Sequence, residues 1–267
     1  VPSERSRLVI EIEGVASRAG DGTDEVGDAV RLSMLRSYGD WRAAVEGAAR
    51  MFVTMAVLML APLLAAGTAR AQAPAAGAKP LKVVVLGDSL SAGYGLPAAS
   101  AFPAKLQIAL RAKGIVVDID NAGVSGDTSS GGLGRLDWSV PDGTNAVIVE
   151  LGANDALRGT DPEVTRNALG EIVQRLQARR IAVLLCGMLA PPNYGADYAA
   201  RFNAIYPELA KQYGVPLYPF FLDGVAADAA LNQADGMHPT AAGVDRIVAR
   251  ILPTVESFLG SIRTAEK

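Results

Sequence analysis

Five short apolar runs, at Lys82 to Leu86, Val116 to Ile119, Ala146 to Leu151, Ala182 to Cys186 and Val215 to Tyr218, are separated by stretches with helical spacing. Runs of that length without polar alternation suit strands buried on both faces, and a chain that alternates strand and helix folds as a parallel sheet covered on both sides. The helical patterns fall at about Pro103 to Lys113, Pro162 to Ala178, Asp197 to Tyr213 and Thr240 to Leu259. Asp161-Pro162 sets an N-cap before a proline at the first helical position, and Gly114 and Gly214 follow helices where a left-handed cap is wanted. The expectation is a three-layer α/β/α, flavodoxin-like fold over residues 81–262, with a five-stranded parallel sheet and its first strand near the centre. Ligands of such sheets bind beyond the strand carboxyl ends.

Upstream of this domain, Met51 to Ala69 reads MFVTMAVLMLAPLLAAGTA, uncharged, preceded by Arg42 and Arg50 and running into ARAQA. A basic flank, an apolar core and small residues form the pattern of a secretory signal peptide, read here as residues 51–71 with cleavage after Ala71. The competing reading is a retained anchor, since the run is just long enough to span a bilayer. Residues 1–50 precede the apolar core and open with Val1. They read as an over-extended N-terminus with the true start at Met51 or Met34. Residues 72–80 form an Ala/Pro/Gly linker. The domain is thereby expected to be secreted or periplasmic, and separated from cytoplasmic acyl-CoA.

Composition narrows the partners. The net charge is −3 and no basic run is longer than Arg179-Arg180, so nothing points to nucleic acid or another polyanion. The single cysteine, Cys186, lies within IAVLLCGM and reads as a small core residue without a disulfide. One His and one Cys cannot build a zinc site of the usual kind, and a Walker-type phosphate loop is absent. No metal, no cofactor and no stable membrane partner is expected, and nothing in the chain demands more than a monomer.

The strand ends carry the chemistry. Strand 1 ends in Gly87-Asp88-Ser89, strand 2 leads into NAGVSGDTSSGG, strand 3 into GANDALRG and strand 4 into GMLAPPNYG. His238 is the one histidine in the chain, with Asp235 three residues before it in ADGMHP. A serine hydroxyl is a weak nucleophile that needs a base, and an imidazole base needs an acceptor on its other nitrogen. Ser89, His238 and Asp235 supply nucleophile, base and orienter. Donors for an oxyanion are available in the Ser89 N–H, the Gly126 N–H and the Asn154 side-chain amide. Leu157, Pro192 and Tyr194 are candidates for an acyl-chain channel. Met188 and Met237 read as packing, and Asp88 as a structural hydrogen-bond acceptor for the following loop.

GDSLS at Gly87 to Ser91, Gly126 in NAGVSGDTS, GAND at Gly152 to Asp155 and DGMHP at Asp235 to Pro239 resemble, in order and spacing, the four blocks of the SGNH (GDSL) hydrolases. The likeness runs on through LRG, PPNYG, FNAIYPELAK and VPLYPFF, covering nearly all of 82–258, and is closest to the secreted bacterial arylesterase, lysophospholipase and acyl-CoA thioesterase branch. It implies a three-layer fold, Ser89 as nucleophile, His238 as base, Asp235 as its partner, Gly126 and Asn154 completing the oxyanion hole, and a mobile substrate loop at ALRGTD. The expected activity is hydrolysis of acyl esters and thioesters, with lipids or other small esters as substrates. Two alternatives remain: a carbohydrate O-acetyl esterase with the same triad, and a non-catalytic flavodoxin-like binding domain. The motif is not Gly-x-Ser-x-Gly, so the nucleophile elbow of the α/β-hydrolases is not indicated.

Overall fold

A computed structural model describes residues 79–265. The segment read as a signal peptide, residues 1–50 and most of the linker lie outside the described residues. Five parallel strands run β1 (Leu81–Gly87), β2 (Val117–Gly123), β3 (Ala146–Glu150), β4 (Ala182–Cys186) and β5 (Leu217–Tyr218), in the spatial order β2-β1-β3-β4-β5. This is the expected flavodoxin-like topology. The order reverses between β1 and β3, where connections leave to opposite faces and open a crevice.

The helices are α1 (Ser89–Ala92), α2 (Phe102–Ala112), α3 (Ser129–Gly134), α4 (Leu136–Ser139), α5 (Ala153–Leu157), α6 (Pro162–Ala178), α7 (Gly195–Tyr213) and α8 (Ala241–Ala265). α2 packs against α8, while α6 packs against both α7 and α3. Val83 to Leu86, Val147 to Val149 and Leu184 to Leu185 are almost fully buried between these layers. Their uninterrupted apolar runs arise because neither face of the sheet meets water.

The differences from the sequence reading have physical causes. β2 continues to Gly123 instead of stopping at Ile119, because it is an edge strand whose outward residues Asp118, Asp120 and Asn121 hide its continuation. β5 shrinks to two residues. The four short helices α1, α3, α4 and α5 are too brief for a periodic pattern to reveal. No helix among the described residues is long and apolar enough to cross a membrane.

One buried cation fixes the site's floor. Arg135, at the junction of α3 and α4, donates to the Gly87 carbonyl at 2.8 Å and the Ala122 carbonyl at 2.7 Å, tying together the carboxyl ends of β1 and β2. Its charge is met by Asp127 at 2.5 Å.

Candidate active site

β1 delivers Ser89 to the crevice through a tight turn. Asp88 is the N-cap of α1, and its Oδ1 accepts the Leu90 N–H at 3.0 Å. Ser89 is therefore the first helical residue, whose own N–H has no partner inside the helix. The turn is pressed onto β2: a Cβ on Gly123 would lie 2.4 Å from the Ala92 nitrogen and 2.9 Å from the Asp88 carbonyl oxygen, so only glycine permits this approach.

His238, the candidate base, arrives from the loop before α8. Asp235 Oδ1 accepts the backbone N–H groups of Met237 (2.9 Å) and His238 (3.0 Å), which leaves Oδ2 for His238 Nδ1 at 2.7 Å. Those N–H donors, the His238 backbone first, hold the Asp235 carboxyl down at about 2, so it is an ionised acceptor throughout the neutral range. Nδ1 of a neutral imidazole must then carry the proton, and Nε2 offers its lone pair to Ser89 Oγ at 2.9 Å. The Tyr94 ring lies against the imidazole with centroids 4.4 Å apart. Gln233 ties the two loops by donating to the Tyr94 carbonyl at 2.8 Å and the Pro239 carbonyl at 3.0 Å, while its N–H donates to the His238 carbonyl at 2.7 Å.

Asn154, at the start of α5, joins the same crevice and donates from Nδ2 to Asp88 Oδ2 at 3.1 Å. Gly126 sits on the loop after β2 with φ 83°, a left-handed conformation suited to glycine, and its carbonyl accepts Arg158 at 2.8 Å. It borders the site rather than lining the cavity. That cavity, about 320 Å³, lies beside Ser89, Asn154 and His238, and its walls are largely apolar: Leu90, Leu157, Met188, Phe220, Leu222 and Met237.

The channel expectation needs correction. Leu157 lines the cavity, but Pro192 and Tyr194 do not; Pro191 takes the place expected of Pro192. The Tyr194 hydroxyl donates to the Leu157 carbonyl at 2.7 Å and its ring lies under Gly159, so it buttresses the α5 end from outside. Met188 and Met237, read as packing, are cavity wall.

Behind Ser89 lies a second carboxyl. Glu150 is completely buried; its Oε2 accepts the Ser91 hydroxyl at 2.6 Å and a long contact from the Asp88 N–H at 3.4 Å, while Oε1 has no hydrogen-bond partner among the described residues. Burial first, and the Asp88 charge second, push Glu150 well above the usual carboxylate range. Burial also pushes Asp88 up, to about 6, against the pull of the Leu90 N–H, the Asn154 amide and His238. Glu150 carried a signal in the sequence, an acid inside an otherwise apolar strand; such a residue is almost never fully buried without a specific partner. Among the described residues no cluster of three or more His, Cys, Asp or Glu side chains is placed to hold a metal ion.

Comparison with known proteins gives the family and the fold. Residues 85–246 match the model of the GDSL-like Lipase/Acylhydrolase family. Esterase TesA of Pseudomonas aeruginosa is 40% identical over 178 residues, 66% of this chain and 89% of that protein. Thioesterase 1/protease 1/lysophospholipase L1 of Escherichia coli (strain K12) is 45% identical over 158 residues, 59% of this chain and 74% of that one. The crystal structure of AlinE4, an SGNH-hydrolase family esterase, is 47% identical, covers 68% of this chain and 97% of that chain, and superposes with a TM-score of 0.58.

Proposed function

The chain belongs to the GDSL-like lipase/acylhydrolase family, and from that premise we propose a serine esterase that cleaves acyl esters and thioesters through an acyl-enzyme on Ser89. The observation that carries the reading is the relay Asp235 Oδ2 to His238 Nδ1 at 2.7 Å and His238 Nε2 to Ser89 Oγ at 2.9 Å, opening on an apolar cavity.

His238 takes the hydroxyl proton as Ser89 Oγ bonds to the acyl carbon, and the carbonyl electron pair moves onto oxygen. The resulting oxyanion is held by the Ser89 N–H, the Asn154 amide and the Gly126 N–H. The tetrahedral centre collapses, the bond to the alcohol or thiol breaks, and the imidazolium gives its proton to the leaving group. Water then repeats the sequence on the acyl-enzyme, releasing the carboxylic acid and restoring Ser89. Asp235 stays ionised throughout, balancing the imidazolium. Leu157, Met188, Phe220 and Met237 receive the acyl chain.

Relatives bearing the names esterase, thioesterase and lysophospholipase support the substrate class. The apolar walls favour acyl chains over sugars, which want polar and stacking partners. The uncharged run at Met51 to Ala69 with its small-residue border supports export of the domain through a signal peptide cut after Ala71. N-terminal sequencing of the native protein tests the export reading.

Hydrolysis of p-nitrophenyl esters from acetyl to palmitoyl by the full chain and its Ser89→Ala variant tests the activity. The expected result is a preference for chains beyond acetyl and a loss of several orders of magnitude in the variant. Cleavage of acetyl alone would favour the carbohydrate esterase, and an unimpaired variant would overturn the Ser89 mechanism.

A further inference from the structure

We propose that Asp88 is a positioning residue for the oxyanion hole, whose charged carboxylate sets which end of the Asn154 side-chain amide is available to the reacting oxygen. The inference rests on the reading of Asn154 as an oxyanion donor. An asparagine amide has a donor end and an acceptor end of nearly the same shape, so only its partners decide how it points. Among the described residues the Asn154 side chain makes one hydrogen bond, from Nδ2 to Asp88 Oδ2 at 3.1 Å. An ionised carboxylate only accepts. It takes one Nδ2 hydrogen, which fixes the nitrogen end in place and leaves the second hydrogen for the crevice. A protonated Asp88 would have a hydrogen to give and would equally donate to the Asn154 oxygen, turning the amide round so that it no longer leaves a fixed N–H for the oxyanion.

Glu150 makes the charged state of Asp88 attainable in a buried place. Two adjacent buried carboxyls do not both ionise, and one of them must hold the proton. Glu150 is the one suited to it, being fully buried with Oε1 unpartnered among the described residues, whereas Asp88 receives the Leu90 N–H and the Asn154 amide on its two oxygens. Both of those bonds reward a negative Asp88. The charged or titratable groups facing Asp88 are Glu150 from β3, His238 from the loop before α8, Asp127 from the loop after β2 and the Tyr206 phenol from α7, and Asp127 is paired with Arg135.

A double-mutant cycle tests the proposal on the full chain. Asn154→Ala alone is expected to lower kcat by about a hundredfold or more with KM little changed, as for loss of one oxyanion donor. Asp88→Ala alone should lower kcat comparably. In the Asn154→Ala background the same Asp88→Ala change should cost at least tenfold less, because the group it positions is gone. A second readout does not depend on that variant folding. The acid limb of kcat/KM should approach a slope of two in wild type, where His238 must be neutral and Asp88 charged, and a slope of one in Asn154→Ala. An undiminished Asp88→Ala loss in the Asn154→Ala background, or the same slope in both proteins, would overturn the positioning role and reduce Asp88 to a helix cap. Near-wild-type kcat in Asn154→Ala would instead remove the oxyanion assignment itself, a separate result visible before Asp88 is touched.

Discussion

The apolar cavity makes a quantitative statement about acyl-chain length. Its volume of about 320 Å³ is that of roughly ten water molecules at about 30 Å³ each, and a methylene displaces a similar amount. Each methylene taken from water into such a cavity contributes about 0.8 kcal/mol, close to a fourfold gain in kcat/KM. From butanoyl to octanoyl the gain is about 3 kcal/mol, or roughly two hundredfold, and it ends near ten carbons once the walls are filled. The chain is held alike before and during bond making, so the gain belongs in KM while kcat stays nearly level. Steady-state kinetics on an even-carbon p-nitrophenyl series from acetyl to palmitoyl measures all three features. Leu222→Phe, which narrows the cavity, should move the break to shorter chains. A flat profile from butanoyl to octanoyl, or a rise confined to kcat, would refute the assignment of this cavity to the acyl chain.

Further outcomes follow from the same contacts. Arg135→Met removes the tie between the β1 and β2 ends and leaves Asp127 unpaired; it should cost about 3 kcal/mol in denaturant unfolding, in the range for breaking a buried pair. Asp88 has a native pKa raised from 3.8 to about 6, so its protonated form favours folding and that stability is lost as pH rises through this interval. Asp88→Asn should accordingly gain in Tm over wild type between about pH 4 and 6 and hold the gain above, and calorimetry across that range would refute it with a constant difference. Tyr94→Ala, which strips the ring from beside His238, should lower kcat several-fold while Tyr94→Phe stays near wild type; equal losses would assign the effect to the hydroxyl instead of the ring face.

How much of this was readable in advance depended on whether a residue's role is local. The strand runs were legible because burial on both faces writes continuous apolar residues, and Asp235 with His238 because three positions in one loop suffice to make the contact. Ser89 was legible because it breaks an apolar strand end with an uncommon triplet. The wall of the cavity was not: Pro191 and Pro192 are indistinguishable as letters, and which of them faces inward is set by the turn that carries Tyr194 against Gly159. The partnership of Asp88 with Asn154 spans 66 positions and that of Glu150 with Ser91 spans 59, so neither has a spacing that a sequence pattern can express. β2 was cut short for the opposite reason, because edge strands show polar residues to water.

Ser89 and His238, the proposed nucleophile and base, lie 149 residues apart, one just after the first strand and the other just ahead of α8. That separation has a consequence for biogenesis. A nascent chain that has exposed Ser89, Asn154 and the whole sheet still lacks the proposed base, because His238 follows β5 on the loop before α8. On the proposed mechanism that centre is incomplete until the loop between β5 and α8 folds back onto Ser89. Any clipping that removes the tail from Asn232 onward returns it to that incomplete state.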